Sequence, residues 1–392
     1  MPAFKYALPM LAAAGYAYAE CSTTATATIE NSSQASEIAS CSTFSGNIAV
    51  ATGLSDDISF GQLKEIDGDL VIKNNQNIKR IDGAGLEKIS GELSLLDNSQ
   101  LAAVAFPKLD NVKKLTMIGL ASLRNLGFDG GISNVEELSI ENTQLQNLNG
   151  IDLNKTKSIR IIANPSIANI SMGVTNMTGA MEIGDNNADV VVSFPNLEHA
   201  GNMSFRSVGN LSLPALKDVS PGSFGIFKSK LKSFYAANFT EVKSDFSISN
   251  ATELEDLSLP ALSKVGAFRI ENTNLAEITK LGKLKEANAA LDISGKNLTK
   301  VETPTLDYVK GVFNLQSQAD LGNSCDAYKK LNDQGKLGPK SKFKCEGKLQ
   351  QATNAGGNGG SSGSTSPSDN AASPMEVQTY LGLAGLLAVL FV

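Results

Sequence analysis

The chain of 392 residues has no tryptophan, a single histidine and few aromatic residues, which make up 6% of the sequence. A catalytic Ser-His-Asp or Cys-His arrangement would therefore have to be built around His199, and a site made of several histidines is excluded. Charged residues are also scarce, at 19%, and the formal net charge is −6. The composition thus disfavours a helical bundle, and the acidic balance disfavours a nucleic-acid partner, which would need a basic surface.

The amino-terminal end carries an apolar run that indicates a secretory signal peptide, with a short buried segment as the alternative. This run extends from Tyr6 to Tyr18, follows Lys5, and closes with the small residues Ala17 and Ala19 at alternate positions. A basic residue, an apolar stretch and a small-residue cleavage site are typical of a secretory signal peptide, which we predict to be residues 1–19.

The carboxyl-terminal end predicts attachment of a glycosylphosphatidylinositol (GPI) lipid. Residues 354–373 are Gly, Ser, Asn, Thr, Pro, Ala and Asp without a large apolar side chain, and the chain ends in the apolar run from Tyr380 to Val392. Small residues, a polar spacer and a short apolar tail form the attachment signal, although a short anchor helix is an alternative. We predict a flexible stalk over residues 348–370, attachment at Asn370, with Ser368 and Gly363 as alternatives, and a propeptide over residues 371–392.

Between these ends an apolar-x-apolar triplet recurs at steps of 21 to 23 residues. The apolar pairs are Ile48/Val50, Leu70/Ile72, Leu93/Leu95, Leu115/Met117, Leu138/Ile140, Ile159/Ile161, Met181/Ile183, Met203/Phe205, Phe224/Ile226, Phe246/Ile248, Phe268/Ile270, Leu291/Ile293 and Phe313/Leu315. Alternation within each triplet predicts a strand with both apolar side chains inward, and the repeat predicts coils whose strands pair in parallel. The sequence therefore predicts an all-β protein: one right-handed parallel β-solenoid of about 13 coils over residues 46–320.

Each coil has two further apolar segments, one before and one after the triplet, which favour a triangular cross-section. Prolines 107, 195, 214, 260 and 304 recur after the third segment and mark one corner. Phe224, Phe246 and Phe268 occupy equivalent interior positions and predict an aromatic stack. Asparagines just past the triplets are predicted to turn the chain and cap backbone groups; they are Asn74, Asn98, Asn142, Asn164, Asn186, Asn250 and Asn272.

The four cysteines lie at the two ends of the repeat, with Cys21 and Cys41 before it and Cys325 and Cys345 after it. Four cysteines allow three connectivities, and we favour Cys21–Cys41 with Cys325–Cys345 because the residues between them form one long rod. Metal binding is disfavoured, because no close C-x-x-C spacing occurs. Each pair encloses a predicted helix, over residues 32–41 and 326–334, so that disulfides would hold an N-terminal cap (20–45) and a C-terminal cap (321–347).

Nine Asn-x-Ser/Thr sequons are candidate sites of N-glycosylation in a secreted chain. They are Asn31, Asn154, Asn169, Asn176, Asn202, Asn210, Asn238, Asn250 and Asn297.

Together these features resemble the fungal GPI-anchored proteins of cell-wall organisation and of the sporulation wall. The resemblance rests on phrases such as Leu70-Val-Ile-Lys-Asn-Asn, Leu138-Ser-Ile-Glu-Asn-Thr and Phe268-Arg-Ile-Glu-Asn-Thr, with Leu257-Ser-Leu-Pro-Ala-Leu. These repeats are also similar to the leucine-rich-repeat-like L domain of insulin- and epidermal-growth-factor-type receptors. The resemblance implies a glycoprotein of the plasma membrane and wall, with wall polysaccharide or wall proteins as partners and no catalytic residues, cofactor or metal.

Three functions remain open from the sequence. The first is a non-catalytic protein needed for wall organisation and integrity. The second is a glycan- or protein-binding module, which a row of outward aromatic residues would favour; the residues between the apolar pairs are mostly Ser, Thr and Arg instead. The third is a carbohydrate-active enzyme, which needs converging carboxylates. Glu182 and Asp292 lie five coils apart, about 24 Å along the axis, whereas Asp185, Asp189 and the Glu198–His199 pair are expected at the surface.

Overall fold

Parallel strands stacked one coil upon the next form the main sheet of the protein, whose computed structural model describes residues 21–355. The predicted signal peptide, the part of the predicted stalk (348–370) that follows residue 355, Asn370 and the apolar tail lie outside these residues. Within 21–355, no helix is long and apolar enough to cross a membrane.

All thirteen triplets pair in the predicted register. Phe246, for example, lies beside Phe224 and Phe268, while Ile248 lies beside Ile226 and Ile270. Every apolar residue of the triplets is at most 5% exposed, and together they line one continuous core. The prediction of a parallel β-solenoid of about 13 coils is therefore confirmed.

The main sheet contains 21 strands of the described part of the chain. They are Ala27–Ile29, Thr43–Ser45, Ile48–Val50, Glu65–Asp67, Leu70–Lys73, Lys88–Leu96, Asn111–Leu120, Ile132–Thr143, Ile151–Lys155, Ser158–Ile162, Ala180–Gly184, His199–Ala200, Asn202–Arg206, Asp218–Val219, Phe224–Phe227, Glu241–Ser249, Lys264–Glu271, Glu286–Gly295, Tyr308–Val309, Val312–Ser317 and Phe343–Glu346. It forms two sides of each coil, because strands such as Lys88–Leu96 continue around a corner from one side to the next.

Shorter parallel strands form the third side of the coils. They are Ile58–Ser59, Arg80–Asp82 and Ala103–Ala105; Asn169–Ser171, Val191–Ser193 and Asn210–Ser212; Ser233–Tyr235 and Asp256–Ser258; and Glu277–Ile278 and Lys300–Val301. Each of the five corner prolines begins the turn that follows this side. The predicted three-sided coil is thus present.

Close stacking of the backbone explains a recurring glycine at the corner before the triplet. A Cβ on Gly222 would collide with the carbonyl oxygen of Gly201 in the preceding coil, and one on Gly201 would collide with that of Thr178. At these two positions the coils approach too closely for any side chain, so glycine is required.

The predicted aromatic stack runs through the core. The rings of Phe224 and Phe246 are 5.3 Å apart between centroids, and those of Phe246 and Phe268 are 5.0 Å apart, with interplanar angles of 6° in both pairs. Phe234 and Phe239 also contact Phe224. These rings lie inside the solenoid, so they cannot form a surface for sugars.

The asparagines past the triplets divide into two neighbouring columns with different roles. Asn74, Asn142, Asn250 and Asn272 have positive φ and turn the chain. Asn98, Asn164 and Asn186 are instead buried and bond to the backbone of adjacent coils. The sequence therefore identified both roles of asparagine, turning the chain and capping backbone groups. It did not distinguish the two adjacent positions of the repeat that perform these roles.

Both ends of the stack are closed by a strand and a helix. The N-terminal helix α1 (Ser32–Ala39) follows the strand Ala27–Ile29, with Ala35 and Ala39 buried and Ile38 half-buried against the core. The C-terminal helix α2 (Ser324–Asp333) precedes the strand Phe343–Glu346. The two cap strands extend the stack beyond the thirteen triplets, which the sequence did not predict.

The favoured disulfide pairing is the one in the structure. Cys21–Cys41 encloses α1, and Cys325–Cys345 joins α2 to the last strand, with Cα–Cα distances of 5.7 Å in both. Tyr328 of α2 packs against Phe313, and burial raises the pKa of Tyr328 to about 12. The second disulfide therefore fixes a helix that covers the end of the core.

Replacing Cys345 with serine should lower the free energy of unfolding by about 3 kcal/mol, as expected for a loop of about 20 residues. The last coil should lose protection first, because α2 would no longer be tied to the strand Phe343–Glu346. Hydrogen exchange on the intact chain measures this; uniform loss of protection along all coils would contradict a local role for this cap.

Candidate functional site: the outer face of the main sheet

The outer face consists of the residues between, just before and just after the apolar pair of each coil. Its central column is Ala49, Val71, Ser94, Thr116, Ser139, Arg160, Glu182, Ser204, Gly225, Ser247, Arg269, Asp292 and Asn314. The side chains alternate with the buried apolar pairs and so point away from the core, as predicted. Eight of the thirteen are exposed or half-buried, whereas Ser94, Thr116, Gly225, Asp292 and Asn314 are buried, with Asp292 and Asn314 only 1% and 2% exposed.

Residues 348–355, the first part of the predicted flexible stalk, instead form a C-terminal strap that bonds to the solenoid and covers this end of the outer face. Leu349 donates to the carbonyl of Ser317, and the Nδ2 of Asn314 donates to the carbonyl of Thr353 at 3.0 Å. The backbone N–H of Ala355 reaches the Asp292 carboxylate at 3.0 Å. The strap therefore runs along the rod axis, back across the coils that precede it.

The Asp292 carboxylate accepts hydrogen bonds from two side chains and from the backbone of the strap. Arg269 Nη1 lies 3.1 Å from its carboxylate and Asn314 Nδ2 lies 2.8 Å away. In the neighbouring column, burial raises the pKa of Asp245, while the charge of Arg269 opposes this shift. These contacts hold the Asp292 carboxylate in place as an acceptor.

Glu182, the other carboxylate of the central column, belongs to a separate ion-pair cluster. Arg160 contacts both Glu182 and Glu141, with 2.8 Å between Arg160 Nε and Glu141 Oε1. Five coils separate Glu182 from Asp292, about 24 Å at the usual strand spacing. The structure does not bring these two carboxylates together, and the distance is far larger than paired glycosidase carboxylates require.

His199 is exposed on another side of the coil. Its Nδ1 lies 2.6 Å from Asp218 Oδ2, and its Nε2 lies 3.8 Å from Glu198 Oε2. A hydrogen bond from Lys217 lowers the pKa of Glu198. Within residues 21–355, the side-chain contacts of the ring are with carboxylates, and no three His, Cys, Asp or Glu residues are grouped to hold a metal.

Replacing His199 with alanine should change the melting temperature by less than about 2 °C, because exposed ion pairs contribute about 1 kcal/mol or less. Calorimetry of the secreted protein measures this. A large loss of stability would show that the His199–Asp218 pair supports the corner on which it lies.

An aromatic ring lies on the outer face at Phe227. A Cβ on Gly225 would collide with the Cε2 and Cζ atoms of Phe227, so the ring lies across the outward side of this glycine. Arg206 and Ser249 are the neighbours of Phe227 in adjacent coils. The sequence showed Gly225 as the one glycine in the outward column, but Phe227 lies outside the triplet and was not identified as a surface residue.

Eight of the nine sequon asparagines are exposed, whereas Asn202 is half-buried. Asn202 is the one that occupies a strand position of the outer face, and its Oδ1 accepts the N–H of Ser223 at 2.9 Å. Asn250 lies in the turn beyond the strand, and Asn169 and Asn210 lie on strands of the third side. The strand positions of the outer face are therefore largely free of candidate glycans.

Comparison with known proteins gives a consistent set of relatives. Residues 1–39 match a family model described as Ecm33, GPI-anchored cell wall organization protein. The chain is 35% identical over 372 residues to protein ecm33 of Aspergillus fumigatus, covering 94% of this chain and 92% of that protein. It is 33% identical to a cell surface GPI-anchored protein of Arthroderma benhamiae, covering 84% of each.

A more distant relative is cell wall protein ecm33 of Schizosaccharomyces pombe, which is 25% identical over 72% of this chain and 68% of that protein. No solved structure matches the chain.

Proposed function

Because this chain belongs to the Ecm33 family of fungal GPI-anchored cell wall organisation proteins, we propose that it is a non-catalytic surface glycoprotein that maintains the organisation and integrity of the wall. The observation that carries the proposal is the similarity to the Aspergillus fumigatus protein along nearly the whole of both chains. This role requires two partners. One is the membrane, which holds the protein through its GPI lipid, and the other is the wall, with its polysaccharide and proteins.

The architecture supports a role in presenting a rigid protein surface within the wall. One continuous apolar core links the coils of residues 21–355, and a disulfide fixes each cap. A stack closed in this way resists pairing of its end strands with other chains. Exposed sequons on the turns and on the third side would place glycans around the rod while the outer face stays accessible.

The proposed anchor predicts a simple change of location. Deleting Tyr380–Val392 should release a folded glycoprotein into the medium, because the core and both disulfides lie within residues 21–355. Phosphatidylinositol-specific phospholipase should likewise release the wild-type protein from membranes. A membrane-bound product that retains the peptide Tyr380–Val392, detected by mass spectrometry, would contradict GPI attachment.

The proposed function is tested in the fungus that carries the gene. Loss of the gene should increase sensitivity to wall-binding dyes, and the wild-type gene should restore resistance. The His199→Ala variant should restore it equally, since the proposal gives this residue no catalytic role. A null-like phenotype of that variant at normal protein level would favour an enzyme.

One observation favours a second function within the same role. Phe227 presents an aromatic ring on the outer face, and a sugar ring could stack on it, as in a binding module.

A further inference from the structure

We infer that the outer face around Phe227 binds a neutral wall polysaccharide, with one pyranose ring stacked on the Phe227 ring. The C–H groups of a pyranose carry partial positive charge and pack against the negative face of an aromatic ring. Phe227 is half-buried, on the opposite side of the sheet from the apolar core.

The backbone leaves room for the ring at Gly225. Gly225 separates Ser204 and Ser247 in the central column, and its missing side chain leaves the space that the Phe227 ring fills. Any other residue at position 225 would push the ring off the sheet. The ring therefore lies over Gly225 on the outer face, where Phe227 is half-buried.

Polar groups surround the platform on the faces of the neighbouring coils. Arg206 lies beside Phe227 in the preceding coil and Ser249 in the following coil. Arg206 is exposed and its Nε is 3.8 Å from Asp185, while the Ser249 hydroxyl donates to Glu271 at 2.6 Å. These side chains supply hydrogen-bonding groups for the hydroxyls of a sugar that stacks on the ring.

The charges near the platform favour a neutral ligand. Arg206 has Asp185 as its counterion, and Glu182 has Arg160. Lys228, the residue after Phe227, is exposed, and Glu271 lies two coils away, so charges of both signs lie near the platform and neither sign predominates.

The C-terminal strap shows how an extended chain lies on this face. Asn314 and Asp292 bond to the backbone of Thr353 and Ala355, and the Asn354 side chain reaches Glu271. The strap crosses the strands along the rod axis. Phe227 occupies the same strand position as Glu271, two coils earlier in the chain. A linear polysaccharide could follow this line over the uncovered coils.

This inference depends on the proposed function only for the choice of polymer. A binding assay in solution tests the surface, whereas the wall phenotype tests the role, so the failure of one is distinguishable from the failure of the other.

The experiment uses the mature chain, expressed without residues 371–392. Because the protein has no tryptophan, Phe227→Trp places a single indole on the platform, and Tyr235→Trp places one at a control position. Tyr235 is 60% exposed on the third side of the coil. Hexasaccharides of β-1,3-linked glucose, of N-acetylglucosamine and of mannose are titrated into both variants. At least one hexasaccharide should change the indole emission of the Phe227→Trp variant, and none should change that of the Tyr235→Trp variant.

Affinity is then measured by calorimetry with the oligosaccharide that binds. Phe227→Ala should weaken binding about tenfold, Phe227→Tyr should retain it, and Tyr235→Ala should leave it unchanged. Melting curves of all variants show whether the fold is preserved. A chain ending at residue 355 should bind at least as well as the longer one, because the stalk beyond it contributes no part of the platform.

Three results would overturn the inference. They are the absence of binding to all three oligosaccharides, equal binding by the wild type and Phe227→Ala, and a requirement for Phe227 in binding a wall protein but no polysaccharide.

Discussion

Replacing Ile248 with aspartate should prevent folding and secretion, whereas the same replacement at Ser247 should leave both unchanged. Ile248 is 1% exposed and stacks between Ile226 and Ile270, while Ser247 is half-buried on the outer face. An unpaired carboxylate in this core would cost more than about 4 kcal/mol, a large part of the stability of a folded domain. An aspartate at position 247 would instead lie beside Arg269 of the next coil.

Secreted yield and the melting temperature of any secreted protein measure this difference. The two residues are adjacent in sequence, so a difference between them reports the alternation of the strand. Equal effects at both positions would show that the assigned register is wrong.

Replacing Asn164 with leucine should also strongly destabilise the protein, although leucine is apolar and similar in size. Asn164 is fully buried, and its Oδ1 accepts the N–H and hydroxyl of Thr143 at 3.0 and 2.7 Å. Its Nδ2 donates to the carbonyl of Ile140 at 2.9 Å. Leucine would leave these groups buried without partners, at a cost of about 1–3 kcal/mol each.

Chemical unfolding of the secreted protein measures the loss, with Asn196→Leu as the control. Asn196 is an exposed turn residue after Pro195, so its replacement should change the free energy of unfolding by less than about 0.5 kcal/mol. Similar values for the two variants would contradict a structural role for the buried asparagine column.

The sequence predicted the solenoid because its signal is periodic. Each triplet contributes the same two inward residues at nearly the same spacing, so independent coils support one register. The pairing of Cys21 with Cys41 followed from that rod, since cysteines at opposite ends cannot meet. The two adjacent asparagine columns could not be separated from the sequence. The length of the repeat varies from 21 to 23 residues, and a difference of one residue is enough to confuse one column with the other.

The features that carry no periodic signal were missed. The strap joins Thr353 to Gln316 and Asn354 to Glu271 through side-chain bonds between residues far apart in sequence. An aromatic residue directly after the apolar pair occurs in one coil, at Phe227, and its outward position depends on the missing side chain of Gly225. Such contacts depend on three-dimensional placement, which composition and spacing do not encode.

We propose that the folded solenoid must be held at the cell surface to organise the wall. A strain without the gene should receive either the wild-type chain or the chain lacking Tyr380–Val392, and its resistance to a wall-binding dye should be measured. We expect the anchored protein to restore resistance and the released protein, folded and equally abundant, to leave the strain sensitive. Full resistance with the released protein alone would contradict the account.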